Sequence, residues 1–245
     1  MSEAELEKYL KENLLPEDLR LSPFQIFSRW LNEATELAQQ PNPNAMVIST
    51  LAEQTIKKAD QATILDNEAV EETVMVPDAR VVLCKDINLE KSYVVFFTNY
   101  QSAKGEQLSR HPFATAVFHW DQLGRQVRIS GRISRSPAME SENYFNTRHP
   151  LSRLGAWASD QSLAIESRDA LLKRVEEEKT RFAKTLENVP RPPHWGGFRL
   201  WAEKVELWIA HPGRIHDRAV WTRELKDIQD NELHFGSWSA TRLQP

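Results

Sequence analysis

The spacing of apolar residues along the chain changes character twice. Phe27, Trp30, Leu31, Ala34, Leu37 and Ala38 recur at steps of three and four, which places them on one stripe of a helix. Ser22 and Pro23 supply an N-cap and a first-turn proline, and Pro41 and Pro43 end the run. From there to residue 136 the period drops to two and the residues become β-branched and aromatic. Strands are predicted at Ala45–Leu51, Arg80–Lys85, Tyr93–Asn99, Thr115–Trp120 and Gln126–Ser134. Between the first two lies EQTIKKADQATILDNEAVEETVMVPD, too long and acidic for a hairpin turn. A solvated, in part helical insertion is expected there, at about 53–77.

After Pro137 the pattern turns helical twice, in AMESENYFNTR and in a longer segment opened by Ser167 that carries Ala170, Leu171, Val175 and Phe182. The charge run KRVEEEKTR on the latter reads as a solvated face. Pro190, Pro192 and Pro193 form a stiff connection. Strands resume at Phe198–Lys204, Val205–Ala210, Ala219–Glu224 and Trp238–Leu243, with a turn at His211-Pro-Gly. Many strands, few helices and no βαβ alternation predict an α+β chain, mainly antiparallel β, folded as a barrel with flanking helices.

Composition narrows the function classes. With 245 residues, 40% of them apolar, the chain can bury a core without disulfides or metal. Its 31 basic and 35 acidic residues leave a net charge of −4, a field that favours neither nucleic acid nor an anionic membrane. No apolar run approaches the length of a membrane span. Cys84 is the only cysteine, and the acidic start is unlike a secretory signal, so a cytoplasmic location is expected. Cys84 itself sits in an apolar strand and reads as buried and inert. The histidines form no metal-ligand spacing, and no metal is expected.

What remains is a set of isolated cations in an acidic protein. Arg80 and Lys85 bracket the apolar run VVLC, an odd separation that sends them to opposite strand faces unless a bulge or twist intervenes. Thr98, Ser102 and Lys104 fall where a strand ends and a helix opens, a place where free N–H groups can hold a phosphate. Tyr144 and Arg148, four apart, project from one helix face, with Ser152 following. Arg214, His216 and Arg218 alternate and would share one strand face. On spacing alone such groups are more often wet surface than a site. The residues by themselves reach no further than a phosphate-binding protein.

The serial order RVVLCK, FFTNxxSxKG, GRQVRISG, YFNTRHPLSRLGAWASDQS, WGGFRL, ELW and RIHDR resembles the pyridoxine/pyridoxamine 5′-phosphate oxidase family, from about Pro23 to Pro245. That resemblance implies an FMN-binding split barrel, a Greek-key barrel of six strands, in a single domain over 23–245 preceded by an N-terminal segment, 1–22, that could act as a lid. It also implies a homodimer with FMN sites at the interface. The implied reaction oxidises pyridoxine or pyridoxamine 5′-phosphate to pyridoxal 5′-phosphate, with dioxygen as acceptor. By the same resemblance the FMN contacts are Arg80, Lys85, Phe97, Thr98, Ser102, Lys104, Gln126, Gln161, Ser162, Trp208 and Arg218. The substrate phosphate falls to Lys85, Tyr144, Arg148 and Ser152, while Arg214 and His216 lie against the pyridine ring as the catalytic pair.

Two positions depart from the family pattern. Ala103 stands where a basic residue is common, so weaker FMN retention is expected unless another group substitutes. In the lid, Tyr9 matches a family tyrosine, but Leu6 stands at the family arginine. Two rival readings use the same residues: a flavin oxidase of phenazine biosynthesis, against which the set Tyr144, Arg148 and Ser152 argues, and a non-catalytic flavin- or pyridoxal-phosphate-binding barrel.

Overall fold

The first helix, α1 (Pro23–Leu37), starts where expected, with Gln25 N–H donating to the Ser22 carbonyl at 3.0 Å, but among the described residues the buried Ser22 hydroxyl has no hydrogen-bond partner, so the expected side-chain cap does not form. It buries Phe24, Ile26, Phe27, Trp30 and Ala34. Phe27 lies 4.8 Å from the Phe118 ring and 6.4 Å from Trp120, so the helix plugs an aromatic corner of the sheet. The computed structural model describes residues 14–37, 40–58, 70–229 and 232–245. The expected lid residues Leu6 and Tyr9 lie outside the described residues, as does 59–69 of the expected insertion.

The strands follow as β1 (Ala45–Lys58), β2 (Val70–Leu83), β3 (Asp86–Asn88), β4 (Tyr93–Asn99), β5 (Phe113–Trp120), β6 (Arg125–Arg135), β7 (Trp195–Ile209), β8 (Asp217–Thr222), β9 (Leu225–Gln229), β10 (Glu232–Phe235) and β11 (Ser239–Leu243). Between them lie α2 (Ala103–Arg110), α3 (Ala138–Asn146), α4 (Pro150–Ala158) and α5 (Arg168–Arg181). Among the described residues nine strands form one antiparallel sheet in the order β11-β8-β7-β6-β5-β1-β2, with β4 joined to β7 and β3 to β4. The sheet thus extends beyond the six strands expected of the barrel. Ile48, Phe96, Phe118, Ile129, Leu200, Leu207 and Trp221 fill its interior. Among the described residues no helix is long and apolar enough to cross a membrane.

Three expectations need correcting. The segment read as a solvated insertion is largely strand: β1 and β2 run on as a long hairpin, pairing Leu51 with Pro77, Thr55 with Thr73 and Lys57 with Glu71. Its charges belong to a ribbon whose faces are exposed and half-buried in alternation, so no continuous apolar face marked it as sheet. The segments 198–204 and 205–210 are one strand, β7. Gly131 on β6 faces Ala202 and Ser130 faces Lys204, so the extra residue, Glu203, forms a bulge that shifts the alternation without ending the strand. A Cβ on Gly131 would meet the Trp201 carbonyl at 1.9 Å, so the bulge demands glycine there. Finally, the sequence reading missed α4, where Pro150 occupies the first turn and His149 Nδ1 accepts from Leu151 N–H at 3.2 Å. By contrast, α5 is capped by Ser167 and its charge run is largely solvated as expected, while Ala170, Leu171 and Val175 are only half-buried.

Candidate functional site

A cleft of about 670 Å³ opens between β2, β4, α2 and the loops after α3 and α4. Arg80, Lys85, Phe97, Thr98, Lys104, Tyr144, Arg148, Gln161 and Ser162 all line it. Residues spread over more than eighty positions of sequence are therefore brought to one place.

The start of α2 builds its floor. Thr98 is the penultimate residue of β4, and Ser102 caps the helix, its Oγ accepting from Gly105 N–H at 3.4 Å and donating to the Asn99 carbonyl at 2.7 Å. Lys104 Nζ donates to Thr98 Oγ1 at 3.2 Å and Ser102 Oγ at 3.3 Å, and among the described residues it meets no carboxylate within salt-bridge distance. Burial, and then the neighbouring Arg80, push its pKa below the ordinary lysine value. A buried ammonium beside a second cation is a site short of an anion. Gly105 belongs to the same turn, since a Cβ there would strike the Tyr100 carbonyl at 2.2 Å.

Arg80 reaches the cleft from β2, where its guanidinium pairs with Asp78 and donates to Gln107 Oε1 at 3.3 Å and to Thr50. Lys85 joins it because β2 ends at Leu83: Cys84 N–H turns to the Asn44 carbonyl, and Lys85 N–H to Val95. The chain leaves strand register there, which removes the opposite-face problem posed by the odd spacing. Cys84 is buried, and burial pushes its thiol up to about 12, in keeping with an inert core residue.

An aromatic stack forms a wall. Phe97 lies 4.1 Å from Tyr144 at 17° and 5.5 Å from Trp195 at 8°. Arg148 rests over the Trp195 ring at 4.6 Å and the Phe145 ring at 5.5 Å. Its Nη1 is buried with no hydrogen-bond partner among the described residues, and burial lowers its pKa. The helix expected to carry both Tyr144 and Arg148 ends at Asn146, so Arg148 enters from the following loop. Bonds from Arg191 to Glu142 and from Arg199 to Glu140 tie α3 down. Gln161 accepts from Thr98 Oγ1 at 3.2 Å, and Ser162 holds a left-handed φ of 77°, strain of a kind that gathers at binding sites. Ser152 does not line the main cleft; it lines an adjoining cavity of about 290 Å³ that shares Arg148, Gln161 and Trp195. Ser102 is wholly buried and acts through Lys104.

Gln126, Trp208 and Arg218 are brought together elsewhere. They oppose one another in register across β6, β7 and β8, so they form one row on one sheet face. Arg218 donates to buried Glu206 at 2.8 Å, and Trp208 lies 4.7 Å from the His216 ring. Arg214, His216 and Arg218 do not share a strand face as predicted. Arg214 sits in the turn closed by its N–H to the His211 carbonyl, with φ of 62°, and β8 begins only at Asp217. This row lies at the far end of β7 from Trp195, and a 15-residue strand spans roughly 45 Å when straight. None of the five residues lines the cleft. Sequence reading missed Asp78, Asn99 and Trp195; the step of two from Asp78 to Arg80 was the legible signal for the first.

Comparison with known proteins decides the family. Residues 34–182 match a family model described as pyridoxamine 5′-phosphate oxidase, and 195–245 match the pyridoxine 5′-phosphate oxidase C-terminal dimerisation region. The chain belongs to the pyridoxamine 5′-phosphate oxidase family. A pyridoxine/pyridoxamine 5′-phosphate oxidase of Burkholderia lata is 40% identical over 237 residues, covering 97% of this chain and 95% of that one. One from Burkholderia multivorans is 39% identical over the same length. Among solved structures, PhzG from Burkholderia lata, in complex with tetrahydrophenazine-1-carboxylic acid, matches with a TM-score of 0.73 at 26% identity, over 95% of this chain and 98% of that one. A pyridoxamine 5′-phosphate oxidase-related, FMN-binding protein of Nostoc punctiforme matches at 14% identity with a TM-score of 0.60, over 93% and 100%, a likeness of fold alone. FMN is the cofactor of this family. The residues present fit it: the cleft has the volume of a cofactor site, an aromatic wall, a buried ammonium without a counter-ion and a guanidinium nitrogen without a partner.

Proposed function

We propose that this protein is an FMN-dependent oxidase that converts pyridoxine or pyridoxamine 5′-phosphate to pyridoxal 5′-phosphate, with dioxygen reduced to hydrogen peroxide and, for the amine, water consumed and ammonia released. The observation that carries the reading is the convergence in one cleft of two cationic sets, Arg80 with Lys104 and Lys85 with Arg148 beside Tyr144. Two phosphates, one on the cofactor and one on the substrate, account for both sets.

Bound FMN would supply the two-electron chemistry, accepting a hydride from the substrate C4′ carbon and handing the electrons on to dioxygen. The chain's own residues bind and orient. Arg80 and Lys104 hold the cofactor phosphate, with Thr98, Ser102 and Gln161 fixing the ammonium and the floor. Arg148, preset by the Trp195 face and with Nη1 free to donate, takes the substrate phosphate together with Lys85, Tyr144 and Ser152. Gln126, Trp208 and Arg218 would contact the flavin ring, and Arg214 and His216 the pyridine ring. Because these five stand at the opposite end of β7, they complete the cleft of a partner subunit, in a homodimer of two shared sites. Placement of C4′ rather than acid–base power is what such a site contributes.

A second reading draws support from the PhzG likeness: oxidation of a phenazine-type ring. The substrate-phosphate cations favour the vitamer. The deciding experiment adds pyridoxamine 5′-phosphate to protein reconstituted with FMN and follows peroxide. Turnover is expected, and a flavin-loaded protein that forms no peroxide with either phosphorylated vitamer would overturn the proposal.

A further inference from the structure

Four cations line the cleft, and among the described residues a single carboxylate joins them, that of Asp78. Asp78 and Arg80 are two apart on β2, so the strand's alternation turns both towards the same side. The guanidinium pairs with that carboxylate, and Gln107 locks the pair by donating from Nε2 to Asp78 Oδ2 at 2.9 Å while its Oε1 accepts from Arg80 at 3.3 Å. The side chain of Asp78 is 43% exposed, that of Arg80 20%, so the carboxylate stands on the open side of the pair. Ala103, which lines the same corner, adds no cation to offset it.

From this arrangement, and resting on the proposed FMN site, we infer that Asp78 competes with the cofactor phosphate for Arg80 and so weakens the hold on FMN. A phosphate dianion approaching Arg80 meets a negative charge already bonded to the donors it needs. It must share the guanidinium's fork or displace the carboxylate, and in either position the like charges repel. Lys104 is then the cation left to the phosphate without a carboxylate of its own, and the field of Asp78 reaches Lys104 as well. The consequence is a cofactor that exchanges rather than one held through purification.

The test measures binding directly, by titrating apoprotein with FMN and following flavin fluorescence, for wild type, Asp78→Asn and Asp78→Ala. Riboflavin, which lacks the phosphate, is titrated in parallel. Both variants are expected to bind FMN more tightly, on the order of tenfold, with the gain shrinking in high salt and riboflavin affinity unchanged. An FMN affinity that is unchanged or weaker in the variants would make Asp78 a support for Arg80 and overturn the inference. Equal changes for both flavins would assign the effect to structure rather than charge, and overturn it too. Wild-type protein that binds neither flavin would instead defeat the proposed function on which the inference rests.

Discussion

Replacing Arg148 with alanine separates recognition of the substrate phosphate from stability. The guanidinium lies over Trp195 at 4.6 Å and Phe145 at 5.5 Å, contacts worth about 0.5–1 kcal/mol each. Against them stands a buried donor with no partner, a desolvation cost of about 1–3 kcal/mol in the free protein. The two effects offset, so the melting temperature of the variant is expected to stay close to that of wild type. Substrate binding has no such compensation. A charge-assisted bond to phosphate is worth roughly 1.5–3 kcal/mol, which predicts a rise in KM for pyridoxamine 5′-phosphate of roughly 10- to 150-fold with kcat little altered. Steady-state peroxide assays on flavin-replete enzyme measure both constants. Arg148→Lys, keeping charge but losing the planar fork, is expected to fall between the two. If KM stayed unchanged while flavin was retained, Arg148 would not be a phosphate ligand and the split of the cleft into two anion sites would fail.

Four further outcomes follow from the same geometry. Lys104→Met should weaken FMN binding at least about tenfold while sparing riboflavin, as read by fluorescence titration. In the apoprotein the depressed pKa of Lys104 means that the unfolded chain holds its proton more tightly, so this group makes stability rise as pH climbs towards 10.5; Lys104→Met should raise the apoprotein melting temperature and flatten that alkaline slope, and an unaltered slope would contradict the account. Cys84, with its thiol pushed up to about 12, should resist thiol reagents at pH 8 until the protein is denatured; stoichiometric labelling of the native protein within minutes would show that it is not buried. Arg214→Ala should lower kcat as well as raise KM, because that side chain orients the ring rather than gripping the phosphate.

The sequence made helix α1, the core of most strands and the Ser102-capped start of α2 legible, because in each the local pattern and the final environment agree. It misled where one residue changed the phase. The Glu203 bulge made β7 look like two strands, and the departure from register at Cys84 hid the fact that Arg80 and Lys85 share a cleft. The β1–β2 ribbon was unreadable because neither of its faces is a continuous apolar stripe, and α4 because Pro150 and Gly155 dilute its helical signal. Arg214 looked like a strand residue by spacing, whereas its left-handed φ is a property of the turn that no periodicity records. The step of two from Asp78 to Arg80 was legible, but that the two pair at the cleft becomes visible only when their neighbours in space are known.

The central claim is that each catalytic cleft takes its cations from one subunit and its flavin- and ring-facing row from the other. Hybrid dimers test it most directly. One chain carries Lys104→Met and Arg148→Ala, the other Arg214→Ala and His216→Ala, and each alone is expected to be nearly inactive. Mixed in equal amounts and allowed to exchange subunits, half of the dimers are hybrids with one intact site each, so about a quarter of wild-type activity should return. Activity no greater than the sum of the two parents, with hybrid formation verified, would place both groups of residues in the same subunit's site and contradict the account.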